Sequence, residues 1–84
     1  MSRILVVDDE YLIADILSYA LQDAGYEVET AANGAKALVE LEKGRFDLVI
    51  TDYMMPIMNG EELANKVRAH YTSTCLPIIL MSGA

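Results

Sequence analysis

The sequence predicts an open α/β fold in which parallel strands alternate with helices. Short apolar segments alternate with longer segments whose apolar residues recur every three or four positions. This alternation is typical of strands joined by crossover helices. Three of the short segments, at residues 4–7, 48–51 and 78–81, lead directly into acids or a hydroxyl. Polar residues are expected there if the carboxyl ends of parallel strands form a ligand-binding crevice.

The first strand and the first helix are predicted from residues 4–24. Residues 4–7 form a continuous apolar run, and residues 10–24 form an amphipathic helix with Gly25 as its C-terminal stop. The helix carries apolar side chains at three- and four-residue spacing, at Leu12, Ile13, Ile16, Leu17, Ala20, Leu21 and Ala24.

The second strand is predicted at residues 26–31, where the side chains alternate in character. Such alternation is typical of a half-exposed strand, and we place it at an edge of the sheet. One face would carry Tyr26, Val28 and Thr30, and the other Glu27 and Glu29.

The second helix is predicted to begin at Asn33 and Gly34 and to run to about Lys43, where Gly44 stops it. Residues 47–52 then form the third strand.

The third helix has a clear start signal. Asn59, followed three residues later by Glu62, resembles a capping box. We expect this helix to turn Leu63, Ala64 and Val67 toward the core.

The fourth strand, at residues 78–81, is apolar on both faces, which is typical of a central strand. The sequence ends three residues later. Because natural domains avoid flat apolar edges, we expect that part of the fold is missing on the C-terminal side or is supplied by another chain.

The sheet face over Leu5, Val7 and Val49 would lie partly open to water. The chain would then form a homodimer through the edge of this strand or stay loosely packed.

Composition limits the classes of function. The 84 residues have room for one domain, 1–84, and the single cysteine, Cys75, cannot form an internal disulfide. Thirteen acids against six bases give a net charge of −7, which disfavours direct binding to nucleic acid or to an anionic membrane. No apolar run has the length of a membrane span or of a signal peptide, so a cytoplasmic domain is expected.

Acids are predicted to meet at one edge of the sheet. Asp8 and Asp9 follow the first strand, Asp52 the third and Ser82 the fourth, so parallel pairing would bring them together. Clustered carboxylates repel one another unless a cation lies between them, and oxygen ligands of this kind suit Mg2+. The sequence therefore predicts a magnesium site.

Three of these features together resemble the receiver domain of two-component response regulators. They are Asp8-Asp9 after the first strand, the run DYMMPIMNG at residues 52–60, and Ser82 after the fourth strand. The resemblance implies a flavodoxin-like open parallel sheet of five strands in the order 2-1-3-4-5. This sequence supplies four strands in the order 2-1-3-4 and three helices, so the fifth strand and the last two helices would be absent.

The resemblance also implies roles for individual residues. Asp52 matches the phosphoacceptor, which takes a phosphoryl group from a histidine kinase or a phosphotransfer protein. Asp9 matches the acid that binds Mg2+ directly, and Asp8 the acid that holds it largely through water. The remaining matches are the backbone carbonyl of Met54 in the metal shell, the Ser82 hydroxyl beside the phosphoryl oxygens and the backbone N–H of Gly83.

The family's fifth-strand lysine has no counterpart in the sequence. We therefore expect phosphorylation and output to be impaired, because that lysine would face the transferring phosphoryl group. We expect a phosphoacceptor with at most weak self-phosphorylation and self-dephosphorylation, and not a turnover enzyme.

Two other functions remain open. An aspartate-nucleophile phosphohydrolase also places an acid after a strand beside Mg2+, but it needs a second acid two residues later, where this sequence has Met54. The second is a structural role, in which the chain is a half-domain with vestigial acids that assembles with another chain or is fused to a related α/β scaffold. A phosphorelay role for His70 is disfavoured, because a histidine at a helix end is usually just solvated.

Overall fold

The computed structural model describes residues 2–52, 58–70 and 76–81. Strands and helices alternate along this part of the chain: β1 (Arg3–Val7), α1 (Tyr11–Asp23), β2 (Glu27–Ala31), α2 (Gly34–Lys43), β3 (Leu48–Asp52), α3 (Gly60–His70) and β4 (Ile78–Met81). The strands pair in parallel, in the order β2-β1-β3-β4. The predicted flavodoxin-like fold class is therefore confirmed.

Side-chain caps begin two of the helices where the sequence predicts them. At the start of α2, Asn33 Oδ1 accepts a 2.8 Å hydrogen bond from the backbone N–H of Lys36. At the start of α3, Asn59 Oδ1 accepts a 2.8 Å bond from the Glu62 N–H, and Glu62 Oε1 accepts a 3.3 Å bond from the Asn59 N–H. The predicted capping box is thus present.

Gly25 follows the end of α1, where the chain turns with a positive φ of 99°. Its N–H donates to the Gln22 carbonyl at 2.9 Å, and the Tyr26 N–H donates to the Leu21 carbonyl at 3.1 Å. Two such bonds around a left-handed glycine form a Schellman motif. The motif satisfies carbonyls in the last turn of α1 and directs the chain into β2.

One face of the sheet is covered by α2 and α3. Leu5, Val7 and Val49 are fully buried on this face, so the expectation that it lies partly open to water is wrong. The chain moves from β1 outward to β2 and then back past β1 to β3. Right-handed crossovers therefore place α1 on one face and both later helices on the other. Those two helices cover the buried strand residues with Ala37, Leu41, Leu63 and Val67.

On the opposite face, α1 packs over β1 and β2. Ile4, Val6 and Ala14 are buried there, but Leu12 and Ile16 are 65% and 68% exposed. At about 100° per residue, these two side chains lie on the side of the helix away from Ala14. The apolar residues of α1 thus occupy two sides of the helix, and one of them faces solvent. Neither α1 nor any other helix in the described ranges is long and apolar enough to cross a membrane.

β4 is an outer strand within the described residues, where it pairs with β3 alone. Its Ile79 and Leu80 are 50% and 44% exposed, which agrees with the expectation of an apolar edge. Ile78 packs against the core on the α2 and α3 face. Homodimer formation through this strand stays a prediction.

Arg3 connects three strands at their amino ends. Its Nε lies 3.6 Å from Glu27 Oε2 and its Nη2 lies 3.7 Å from Glu29 Oε1, both on β2. The guanidinium carbon is 4.6 Å from the centre of the Phe46 ring, just before β3. The backbone N–H of Arg3 donates to the Asp47 carboxylate at 2.8 Å. These contacts tie the starts of β1, β2 and β3 together.

Gly34, at the start of α2, packs against Met58. A Cβ atom at position 34 would lie 2.7 Å from Met58 Sδ and 3.0 Å from Met58 Cβ and Cγ. Sδ can rotate away, but Cβ is attached to the backbone, so Gly34→Ala requires the backbone to move. We expect this substitution to lower the free energy of unfolding by about 1 to 3 kcal/mol, measured by urea denaturation.

A second glycine provides a matched control for that substitution. A Cβ at Gly44 would also make a close contact, at 2.6 Å, but with the terminal Nη1 of Arg3, which can move. We expect Gly44→Ala to cost less than about 1 kcal/mol, since exposed ion pairs contribute little. Met58→Ala should recover part of the loss in the Gly34→Ala background. Equal costs at the two glycines would contradict this explanation.

Candidate functional site

The sheet brings Asp8, Asp9 and Asp52 together at the carboxyl ends of β1 and β3. These strands are adjacent and parallel, and Val7 pairs with Thr51, so the residues that follow emerge at the same edge. One carboxylate oxygen from each acid can be chosen so that all three lie within 4.8 Å of one another. We call these three residues the acid cluster. The predicted juxtaposition of these three acids is therefore confirmed, whereas the fourth residue expected there, Ser82, lies outside the described residues.

Asp8 is the most enclosed member of the acid cluster, with only 3% of its surface exposed. Its backbone N–H donates to the Ala31 carbonyl at 3.1 Å, which ties the end of β1 to the end of β2. Its Oδ1 accepts a 2.9 Å hydrogen bond from the Glu10 N–H. Both contacts hold the carboxylate in place at the entrance to α1.

The bond from the Glu10 N–H was missed by sequence reasoning. Glu10 is the N-cap residue of α1, but its own side chain makes no capping bond. Aspartate often accepts from the backbone N–H two residues further along the chain. An Asp-x-x sequence directly before a predicted helix is the signal that could have indicated this bond.

The electrostatic environment of Asp8 disfavours its charged form. Burial raises the pKa of the Asp8 carboxyl group, and the negative charges of Asp52, Asp9 and Glu10 raise the pKa further. The hydrogen bond from the Glu10 N–H acts in the opposite direction, without cancelling the rise. A cation at this place would offset both the lost hydration of the buried charge and the repulsion from the neighbouring acids.

The dimensions of the acid cluster fit one Mg2+ ion. In an octahedral shell with bonds of about 2.1 Å, opposite ligand atoms lie about 4.2 Å apart. The spread of 4.8 Å is slightly wider than this. The three carboxylates are thus close enough together for one ion to lie between them. Carboxylate oxygens are also the ligand type that Mg2+ prefers.

We expect Asp8→Asn to stabilise the metal-free chain at neutral pH by about 0.5 to 2 kcal/mol, the usual size of a single stabilising substitution. The change removes a buried charge, and the amide oxygen can still accept from the Glu10 N–H. Because the pKa of Asp8 is raised, the folded chain binds this proton more readily than the unfolded chain does. The unfavourable contribution of Asp8 to the stability of the wild type therefore disappears as the pH falls from neutral towards the ordinary pKa of a carboxyl group.

The gain from Asp8→Asn should be largest at neutral pH and should vanish towards pH 4, near the ordinary pKa of a carboxyl group. Urea denaturation with EDTA across that pH range measures it. Asp15→Asn, on the exposed surface in the middle of α1, is the matched control and should give no such gain. If both variants gained equally, net charge would explain the effect and the local cause would be wrong.

The other predicted site residues lie outside the described part of the chain. Met54, Ser82 and Gly83 are in this group. His70 is the last residue of α3. Of the predicted site residues, the structure thus brings together Asp8, Asp9 and Asp52.

Fold and site together define an open parallel α/β domain of the flavodoxin class with an acid cluster at its strand ends. Residues 4–84 match the family model described as the response regulator receiver domain. The chain belongs to this family, as the sequence motifs predict.

Known proteins that resemble the chain agree with this assignment. It is 38% identical over 81 residues to the alkaline phosphatase synthesis transcriptional regulatory protein PhoP of Bacillus subtilis, covering 96% of this chain and 33% of that protein. The response regulator TrrA of Thermotoga maritima, solved in complex with Mg2+-BeF, matches with a TM-score of 0.92 and 44% identity over 100% of this chain and 71% of that chain. A second solved structure, of the histidine kinase ThkA in complex with TrrA, contains a chain that matches with a TM-score of 0.89 and 44% identity. The match covers 99% of this chain and 70% of that chain. The chain spans about a third of the length of the curated relatives that it matches.

Proposed function

We propose that residues 1–84 form a phosphoacceptor domain that receives a phosphoryl group on Asp52. The observation that carries the proposal is the position of Asp52, half-buried at the end of β3 and within 4.8 Å of ligand atoms of Asp8 and Asp9. Membership of the receiver family, whose members are signalling domains, supports it. The donor would be a histidine kinase or a phosphotransfer protein. The similar regulator TrrA has been solved in complex with a histidine kinase.

The proposed reaction moves the phosphoryl group from a histidine nitrogen of the donor to a carboxylate oxygen of Asp52. The new P–O bond forms as the P–N bond breaks. The electron pair of the broken bond stays on the ring nitrogen of the donor, which takes up a proton. The incoming phosphoryl oxygens add negative charge beside Asp8 and Asp9. Phosphoryl transfer of this kind depends on a positioned nucleophile and on neutralisation of that charge.

A bound Mg2+ would neutralise this charge and orient the phosphoryl group. We propose that Asp9 and Asp52 hold the ion directly and Asp8 largely through water, with the backbone carbonyl of Met54 completing the protein's share. The Ser82 hydroxyl and the Gly83 N–H would contact the phosphoryl oxygens. The roles of Met54, Ser82 and Gly83 rest on the family resemblance alone.

The test is labelling of the full chain with a small acyl-phosphate donor, followed by intact-mass and peptide analysis. We expect one phosphoryl group per chain, located on Asp52, and none when EDTA removes divalent metal ions. The variant Asp52→Asn removes the proposed acceptor carboxylate, so its labelling should be strongly reduced. A phosphoryl group mapped to His70, or labelling that does not need a divalent metal, would contradict the proposal.

A further inference from the structure

Thr51 places a hydroxyl group in the interior of the sheet directly before Asp52. Its side chain is fully buried, and its neighbours on the adjacent strands are Val7 of β1 and Leu80 of β4. Among the residues that the structure describes, Thr51 and Asp8 are the buried polar residues. Asp8 belongs to the acid cluster, but Thr51 has no part in the chemistry proposed above.

The Thr51 hydroxyl donates a 3.1 Å hydrogen bond to the main-chain carbonyl of Asp52. Burial of a hydroxyl group is unfavourable unless such a bond compensates for its lost hydration. Valine would fill nearly the same volume in β3, with a similar strand preference and without a polar atom. Packing therefore does not account for threonine at this position, whereas the bond to Asp52 does.

This bond acts at the point where β3 leaves the sheet. Pairing of β3 with β1 ends at Thr51, and pairing with β4 ends one residue later, where Asp52 lies opposite Met81. The Asp52 carbonyl belongs to the peptide group that leads out of the strand. A bond that fixes this peptide group restricts rotation of the Asp52 backbone, and that backbone determines where the carboxylate points.

We propose that Thr51 is a positioning residue for the Asp52 carboxylate. Its hydroxyl holds the main chain of Asp52 so that the carboxylate stays within reach of Asp8 and Asp9. Thr51 acts through Asp52 and contacts neither the metal nor the phosphoryl group. This inference rests on the proposed function, because it assumes that the acid cluster binds Mg2+.

Two substitutions separate the hydroxyl from the volume of the side chain. Thr51→Val keeps the volume and removes the donor, whereas Thr51→Ser keeps the donor and removes a methyl group. We expect Thr51→Val to weaken the Mg2+ affinity of the full chain about 10-fold, the size typical of groups that orient metal ligands. The melting temperature of the metal-free Thr51→Val chain should stay the same or rise.

The serine variant should show the opposite combination. We expect its Mg2+ affinity to stay within about threefold of the wild-type value, which is a smaller change than the loss of an orienting group causes. Its melting temperature should fall, because a buried methyl group is lost. A residue with only a structural role would instead change affinity and stability together in both variants.

The carbon-13 shift of the Asp52 carbonyl gives a second readout that needs no metal. It should move upfield in Thr51→Val, which loses the hydrogen bond, and stay near the wild-type value in Thr51→Ser. Equal Mg2+ affinity of wild type and Thr51→Val, or equal losses in both variants, would overturn this inference and leave the proposed function standing. A wild-type chain that binds no Mg2+ would overturn both.

Discussion

Asp52→Asn is expected to reduce phosphoryl labelling of the chain at least about 10³-fold, a loss of the size that removal of a nucleophile causes in enzymes. The amide of asparagine lacks the carboxylate oxygen that would attack phosphorus. Its shape is nearly the same, and it removes one of the mutually repelling charges of the acid cluster. The fold should therefore persist, and the loss should be chemical. Intact-mass analysis after reaction with a small acyl phosphate and Mg2+ measures the effect.

The control for this experiment is Asp23→Asn. Asp23 is the exposed last residue of α1, so this variant makes the same chemical change away from the acid cluster. We expect it to be labelled as efficiently as the wild type, and circular dichroism should show that both variants are folded. Undiminished labelling of Asp52→Asn would place the acceptor elsewhere and refute the proposed role of Asp52.

Asp9→Ala is expected to weaken Mg2+ binding at least about 100-fold. Loss of a group that only orients a ligand commonly costs about 10- to 100-fold in metal affinity, and loss of a direct ligand should cost no less. Asp9 is the exposed member of the acid cluster, so its removal leaves no cavity in the core. Calorimetric titration of the chain with Mg2+ measures the affinity.

Glu10→Gln separates direct binding from general charge. Glu10 is exposed and is close enough to raise the pKa of Asp8 by repulsion, but it is not a member of the acid cluster. We expect this variant to weaken Mg2+ binding by about fivefold at most, because exposed charges interact by up to about 1 kcal/mol. Similar losses from Glu10→Gln and Asp9→Ala would mean that net charge alone attracts the ion. Equal affinity of wild type and Asp9→Ala would count decisively against the site.

Most of the fold and the centre of the site could be predicted from the sequence because they depend on local signals. The capping pair Asn59 and Glu62, the stop at Gly25 and the alternation in β2 each act over a few residues. The position of the acid cluster needed one further rule, that the carboxyl ends of parallel strands meet at one edge. That rule requires only the order of the elements along the chain.

The features that were missed depend on which face each helix covers. Spacing shows that α1 has apolar residues at helical intervals, but it does not show that Leu12 and Ile16 face away from the sheet. The burial of Leu5 and Val49 follows from the handedness of the crossovers to α2 and α3.

The role of Thr51 could not be read from the sequence either, since threonine is common in strands for reasons of shape. Only its burial and its bond to Asp52 distinguish it.

The contacts of Arg3 give the sheet an electrostatic gradient from one end to the other. At the amino ends of the strands, Arg3 attracts the two glutamates of β2, whereas at the carboxyl ends the acid cluster repels itself. Opposite charges thus draw the strands together at one end and like charges push them apart at the other. Thermal fraying of the metal-free sheet should therefore begin at the acid end. A divalent cation bound there would suppress this opening, so occupancy of a single site would change the motions of β1 and β3 together.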